Sequence, residues 1–133
     1  MFVAFANASD RDHARAVKVF DKVRRGEHGQ PYSSDYVLDE AVTTALARTR
    51  RVDTAIRVGK LILGAPEQGI PTLARLLRVD EIAFSGAWDA FKSGRHPQLS
   101  FTDHTILLQV MGIKDGLLAT FDGGFDGLVP LAR

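Results

Sequence analysis

Asp103 is the acidic residue whose place in the sequence most needs an explanation. It lies in LSFTDHTILLQV, residues 99–110, a segment with the apolar spacing of a helix. Because Ser100 precedes it by three residues, Asp103 fits a capping box, in which the two side chains bond to each other's backbone N–H groups. Asp103 also shares one helix face with apolar residues, namely Ile106, Leu107, Val110 and Met111. An acid on an inward face must be paired, protonated or bound to a metal, so both interpretations stay open.

Two further aspartates follow the apolar run GLLATFD. This short run, bounded by glycines, predicts a buried strand that ends at Asp122. In parallel sheets, sites form beyond the carboxyl ends of the strands. Asp122 is followed by glycine, however, and Asp-Gly is equally typical of a turn. Asp126 fits a turn as well and lies further from the strand end.

Glu40 is the fourth acidic candidate, and its own surroundings are the least informative. It lies on a predicted helix, opposite the main apolar stripe, where a solvated glutamate is the ordinary interpretation. Its neighbours on that face are small or uncharged, namely Tyr36, Thr43, Thr44 and Ala47. Periodicity alone does not bring Glu40 to a site.

The composition excludes several classes of chemistry. There is no cysteine, which excludes disulfides, thiolate metal sites and cysteine nucleophiles. The net charge of +1, from 17 basic and 16 acidic residues, lacks the excess typical of nucleic-acid binders, although a local patch would suffice. No P-loop, GxGxxG or GxSxG motif is present. The histidines show no metal-ligand spacing and are predicted to be structural or surface residues: His13, His28, His96 and His104.

The length and hydropathy of the chain predict one domain over residues 1–133. Hydrophobic residues make up 45% of the 133 residues, enough for one core. The apolar runs are shorter than the roughly 20 residues of a membrane span. The N-terminus lacks the basic region of a signal peptide, so we expect a soluble cytoplasmic protein.

Helices and short apolar runs alternate along the chain. Caps and periodicity predict five helices: residues 11–25 after Asp10, DYVLDEAVTTALARTR after Ser34 or Asp35, Asp53 to Leu63, a helix after Asp80 with Phe84, Ala87, Trp88 and Phe91 on one face, and LSFTDHTILLQV up to Gly112. Short strands are predicted at Pro31 to Ser33, in PTLARLL and in GLLATFD. Alternating strands and helices predict an α/β fold with a parallel sheet covered on both faces.

The segments YVLDE, LSFTD and LLATFDGGFD, in this order, resemble the PIN domain family, the ribonuclease fold of VapC-type toxins. FVAFANASDRDHARA is similar to that family's first segment, including an Asp-x-x-His start of a helix. Each motif is modest alone, but the ordered set covers nearly the whole chain. The resemblance implies a three-layer α/β/α sandwich with a parallel sheet. It also implies an acidic cluster that binds Mg²⁺ or Mn²⁺ and cleaves single-stranded or loop RNA.

The resemblance assigns roles residue by residue. The family's second, third and fourth acids fall on Glu40, Asp103 and Asp122, which are then both catalytic residues and metal ligands. Thr120 matches a hydroxyl that supports the cluster, and Asp126 matches an occasional extra metal-binding acid. Hard divalent cations prefer carboxylate oxygens, activate water and relieve charge at phosphate. Asp103 can therefore cap its helix and still present its carboxylate to a metal.

The family's first acid has no match in this sequence. It stands at the end of a first strand, in a segment like VDTS, before the match to FVAFAN. None of Asn7, Asp10 or Asp12 matches that position. We expect the natural chain to start upstream of Met1. The alternative is that MFVAFA, which is apolar and β-prone, fills the place as a strand and that one metal ligand is missing.

Two functions from different classes follow from these residues. The first is an Mg²⁺- or Mn²⁺-dependent endoribonuclease, the toxin of a toxin–antitoxin pair, with RNA as substrate, an antitoxin as partner and a homodimer as assembly. Basic residues at helix ends could hold the RNA backbone, namely Arg24, Arg25, Arg48, Arg50 and Arg51. The second is a catalytically impaired PIN-like module that binds RNA or a protein. A receiver-like signalling domain ranks lowest, because Lys114, the last lysine, precedes the final strand.

Overall fold

The protein is described by a computed structural model that covers all residues from 1 to 133. Its internal contacts divide the chain into two compact units, Met1–Leu77 and Arg78–Arg133. The single domain expected over residues 1–133 stays a prediction.

The first unit consists of helices and one small parallel ladder. Its elements are α1 (Phe2–Ala6), α2 (His13–Arg24), β1 (Tyr32–Ser34), α3 (Asp35–Thr49), α4 (Val52–Leu63), a 3-10 turn (Pro66–Gln68) and β2 (Arg75–Leu77). β1 and β2 pair in parallel, with Ser33 opposite Leu76. The helices and strands predicted in this half of the sequence are confirmed to within a few residues.

Local side-chain chemistry sets the ends of α3. The hydroxyl of Ser34 accepts the N–H of Val37 at 3.2 Å and satisfies a backbone donor that the first turn leaves unpaired. The helix ends at Arg50, whose backbone is left-handed with φ 56°. Only Arg50 and Arg51 separate α3 from α4, which are therefore joined as a tight helical hairpin.

Small residues form the contact between α3 and α4. Ala41 and Ala45 of α3 are buried against Ala55, Val58 and Ile62 of α4. Alanines let two helix backbones approach closely, and this contact is the core of the first unit. The neighbouring Leu46 is apolar as well, but it is 41% exposed. Adjacent helix residues point about 100° apart, so Leu46 turns away from the contact that buries Ala45.

The segment MFVAFA forms the helix α1, so the alternative that it fills a strand position is wrong. Ala4 is buried, and the rings of Phe2 and Phe5 pack on Phe20 with centroid distances of 5.4 and 4.2 Å. The Nδ1 atom of His13 donates to the carbonyl of Ala4 at 2.9 Å. As a helix the segment makes backbone hydrogen bonds of its own, from Phe5 N–H to the carbonyl of Met1 and from Asn7 N–H to that of Val3, whereas a strand would need a paired neighbour.

The second unit has a similar composition of elements. They are α5 (Glu81–Lys92), α6 (Phe101–Met111), β3 (Leu118–Ala119), a 3-10 turn (Gly123–Phe125) and β4 (Leu131–Ala132). β3 and β4 pair in parallel, with Leu118 opposite Leu131. Asp80 caps α5 as predicted, because its Oδ1 accepts the N–H of Ala83 at 2.8 Å.

The burial predicted for two segments of the second unit is only partly observed. β3 is a two-residue strand with Leu118 half-buried and Ala119 exposed, so the expected buried strand is wrong. Its strand partner is the equally short β4. On α5, Ala87 is buried, but Phe84, Trp88 and Phe91 are between 41% and 46% exposed. Their rings meet Phe101 of α6 edge-on.

The architecture is a mixed α/β fold in which both ladders are parallel, as predicted. Each ladder has two strands, so the three-layer α/β/α sandwich stays a prediction. No helix combines the length and the apolar character that crossing a membrane requires.

Candidate functional site

Asp103 and Ser100 form a complete capping box at the start of α6. The Oδ2 atom of Asp103 accepts two hydrogen bonds from Ser100, one from its backbone N–H at 2.8 Å and one from its hydroxyl at 2.7 Å. In return, the backbone N–H of Asp103 donates to the Ser100 hydroxyl at 3.1 Å. The sequence predicted this geometry from the three-residue spacing, and it is confirmed.

The capping box leaves half of the Asp103 carboxylate available. Both bonds from Ser100 reach the same oxygen, and Oδ1 has no hydrogen-bond partner. The residue as a whole is half-buried, so it is only partly exposed to solvent. A carboxylate that is held by one oxygen can coordinate a cation through the other.

Asp122 is held in a similar way at the end of the loop that follows β3. Its Oδ1 accepts the N–H of Gly124 at 2.8 Å, and its own N–H donates to the Thr120 hydroxyl at 3.1 Å. The turn interpretation of Asp122 is therefore correct, whereas the support that Thr120 would give to an acidic cluster stays a prediction. Its Oδ2 has no hydrogen-bond partner, and the residue is exposed.

Packing brings the segment before α6 against the turn that carries Asp122. Leu99 is buried together with Leu107 and Phe125 in the core of the second unit. The side-chain amide of Gln98 donates to the carbonyl of Gly124 at 3.2 Å. A Cβ atom on Gly124 would lie 3.0 Å from Leu99 Cδ2, so this contact is close and suits a glycine. The second unit thus places the segments that bear Asp103 and Asp122 in direct contact.

Asp126 already has a cationic partner. The guanidinium of Arg133 donates to its carboxylate and, at 3.2 Å, to the backbone carbonyl of Asp122. Arg133 therefore contacts both aspartates of this turn, and its positive charge offsets the negative charge of Asp126. A role of Asp126 as a metal ligand stays a prediction and would require Arg133 to give up this contact.

Glu40 lies on α3 in the first unit and is exposed. It is one of three acids, with Asp10 and Asp12, whose charge acts on the amino group of Met1. Burial lowers the pKa of that amino group, and the three carboxylates oppose the shift. The convergence of Glu40 with Asp103 and Asp122 stays a prediction.

Asp10 and Asp12 act on the same amino group as Glu40, which no pattern in the sequence predicted. Asp10 lies 3.8 Å from Arg48, and Asp12 lies 2.9 Å from Arg15 and 3.3 Å from Arg11. Each acid therefore has an arginine nearby that offsets its charge. The Asp-x-x-His start of α2 was the one signal in the sequence that pointed to this segment.

The carboxylates of each unit differ from a complete cation site in their number. Neither unit on its own contains three or more His, Cys, Asp or Glu side chains grouped to hold a metal ion. Asp103 and Asp122 nevertheless supply the hard oxygen donors that Mg²⁺ and Mn²⁺ prefer, each through one unpartnered oxygen. The donor chemistry therefore fits such an ion.

The basic residues differ in how far they are already engaged. Arg25 pairs with Asp21 and Glu27, and Arg51 pairs with Asp53. Arg24 and Arg50 are exposed and have no ionic partner. Of the five arginines considered for RNA binding, these two could bind a phosphate without breaking an ion pair.

A comparison of structures finds one informative relative. The chain matches the crystal structure of VapC20 from Mycobacterium tuberculosis, described as a toxin that cleaves the sarcin-ricin loop, with a TM-score of 0.63 and 25% sequence identity. The match covers 93% of this chain and 86% of the toxin. No profile of a protein family matches the sequence, and neither does any curated protein sequence. The resemblance to VapC-type toxins of the PIN domain family is thereby confirmed at the level of structure.

Proposed function

We propose that this chain, which resembles a VapC-type toxin in structure, is a metal-dependent endoribonuclease that hydrolyses RNA phosphodiester bonds. The observation that carries the proposal is the structural match over 93% of the chain to a toxin that cleaves an RNA loop. Two carboxylates held by turn and cap hydrogen bonds, each with one unpartnered oxygen, support it further.

The residues proposed to hold Mg²⁺ or Mn²⁺ are Glu40, Asp103 and Asp122, with Asp126 as an additional ligand. A bound divalent cation supplies an activated water and charge relief at the phosphate. The protein itself holds the ligand carboxylates in place. Ser100 holds the carboxylate of Asp103 and the N–H of Gly124 holds that of Asp122, so neither carboxylate has to be ordered when the ion arrives.

The proposed substrate is a single-stranded or looped RNA, which exposes its phosphodiester backbone to a small site. Arg24 and Arg50 are exposed cations without ionic partners, and they are proposed to contact its phosphates. Non-specific contacts of this kind are salt-dependent, so RNA affinity should fall as ionic strength rises.

The proposed biological role is the toxin of a toxin–antitoxin pair in the cytoplasm. A nuclease that cleaves cellular RNA must be held inactive, and a partner antitoxin that covers the acidic site would do so. A homodimer is proposed on the same resemblance, and so is the three-layer sandwich.

Cleavage of a defined RNA tests the enzyme. A hairpin with the sarcin-ricin loop sequence is incubated with the purified chain and Mg²⁺ or Mn²⁺, with EDTA and a scrambled loop as controls. Because the family's first acid precedes the match to FVAFAN, a chain extended by the in-frame upstream codons is assayed in parallel. We expect metal-dependent cleavage that Asp103→Asn reduces by more than ~100-fold, beyond the usual effect of losing an outer support. If neither chain cuts any RNA and Asp103→Asn leaves metal binding unchanged, the enzyme proposal is wrong.

A catalytically impaired module is the second candidate. It is favoured by the lack, within either unit, of a group of three acids placed to hold a metal. Such a module would bind RNA equally well in EDTA and in Mn²⁺. A gel-shift titration under both conditions separates it from the enzyme, whose productive complex depends on the ion.

A further inference from the structure

Ser100 has all of its polar groups engaged around Asp103. Its N–H and hydroxyl donate to the Asp103 carboxylate, and its hydroxyl accepts the Asp103 N–H. Its carbonyl oxygen accepts two bonds from His104, one from the backbone N–H at 3.1 Å and one from the ring Nδ1 at 2.8 Å. The Ser100 peptide is therefore fixed from both sides, by the acid and by the histidine that follows it.

The ring of His104 is enclosed. The residue is 2% exposed, and its ring meets Phe91 edge-on with a centroid distance of 5.6 Å and lies 6.4 Å from the ring of His96. Because a carbonyl oxygen can only accept, Nδ1 must carry the hydrogen in the bond to Ser100. The enclosure gives the ring few alternative orientations, so the bond to Ser100 is held in one geometry.

The other ring nitrogen of His104 is buried without any partner. A buried polar atom that forms no hydrogen bond costs stability relative to an apolar side chain of similar size. The carbonyl of Ser100 does not need the ring, because the helix already supplies the backbone N–H of His104. The fold alone would therefore be served as well or better by leucine at position 104.

We propose that His104 is a positioning residue for Asp103, acting through Ser100. Its ring Nδ1–H holds the Ser100 peptide, whose N–H and hydroxyl hold Oδ2 of Asp103 and leave Oδ1 as the oxygen that would bind the ion. This inference rests on the proposed metal-dependent function. Outer partners of metal-ligating carboxylates tune affinity in the same manner, by restricting the orientation of the ligand.

Mn²⁺ binding by the full chain, measured by the EPR signal of free Mn²⁺, tests the proposal. This measurement does not depend on RNA cleavage. We expect His104→Leu to weaken Mn²⁺ affinity by about tenfold, the lower end of effects from outer partners. The melting temperature in EDTA should be unchanged or higher, because the unpartnered nitrogen is removed. His104→Asn, whose amide can donate from near the Nδ1 position, should keep most of the affinity.

The outcomes separate this inference from the function on which it rests. If His104→Leu lowers the melting temperature in EDTA and leaves Mn²⁺ affinity within about twofold, a range below the usual outer-partner effect, His104 is merely structural and the inference is wrong. Equal losses in the leucine and asparagine variants also overturn it, since the bond would not be the cause. Asp103→Asn is the reference variant. If it weakens Mn²⁺ binding while His104→Leu does not, only the inference fails, and if it has no effect, the proposed metal site fails with it.

Discussion

Two serines cap the helices that carry the candidate acids, and they do so in different ways. Ser34 is buried and accepts one hydrogen bond, from the N–H of Val37, while Glu40 lies further along α3 and does not take part in the cap. Ser100 is exposed and binds Asp103 through three hydrogen bonds. In α6 the cap and the candidate ligand are one structure, whereas in α3 they are separate. We conclude that the orientation of Asp103 is built into its helix start, whereas the cap of α3 does not determine that of Glu40.

Substitutions in the cores beneath these two helices should have the largest effect on stability. Phe125 packs with Leu99 and Leu107 directly below the start of α6. Phe125→Ala should destabilise the protein by ~3–5 kcal/mol, the usual cost of an aromatic-to-alanine change in a core. Chemical denaturation followed by circular dichroism measures the loss.

Ile62→Ala is the matched change in the first unit, where Ile62 is fully buried. It should cost a similar ~2–5 kcal/mol. Only Phe125→Ala should accelerate hydrogen exchange of the Ser100 and Asp103 amides under native conditions. Equal acceleration in both variants would mean that the start of α6 does not depend on the core of its own unit.

Substitutions of the two capping serines should have an intermediate effect on stability. Ser34→Ala and Ser100→Ala should each cost ~1 kcal/mol of stability, as N-cap substitutions do. Ser100→Ala should in addition weaken Mn²⁺ binding by ~10-fold, because the hydroxyl no longer holds Asp103. Thermal melting and a Mn²⁺ titration of both variants provide the measurement. A loss of Mn²⁺ affinity in Ser34→Ala of the same size would show that general destabilisation, not orientation, is responsible.

The smallest expected effect concerns the acid that already has a cation. Asp126→Asn removes the ion pair with Arg133, whose partners are both partly exposed, so stability should change by less than ~1 kcal/mol. Because Arg133 already pairs with Asp126, the contribution of Asp126 as the proposed additional ligand should be small, and Mn²⁺ affinity should fall by about twofold at most, well below the effect of an outer support. A large loss of Mn²⁺ affinity would instead show that Asp126 contributes to metal binding as strongly as Asp103 and Asp122.

The sequence predicted the elements well where local chemistry decides them. The caps at Ser34, Asp80 and Ser100 each placed a helix start correctly, because a hydroxyl or carboxylate three residues before a backbone N–H is a local signal. Burial was harder to predict. Periodicity marks the apolar face of α5, but it does not say how much of that face a neighbour covers.

The site was predictable only in part. Spacing alone identified the capping box of Asp103 and the turn of Asp122, whereas Glu40 entered only through the resemblance. The bond from His104 to Ser100 follows a four-residue helix spacing, yet nothing local indicated that its second nitrogen would be buried without a partner. Such a cost becomes visible only when the packing around the ring is known.

The bend at Arg50 has a consequence for how the first unit presents its charge. A left-handed backbone suits glycine, and arginine adopts it at a cost of roughly 1–2 kcal/mol. The same residue is exposed and has no ionic partner. The strained backbone of this hairpin therefore coincides with an exposed, unpaired guanidinium group. The two helices that meet at this corner therefore fix where the side chain of Arg50 starts, while its long, unpaired side chain stays free to reach toward a phosphate.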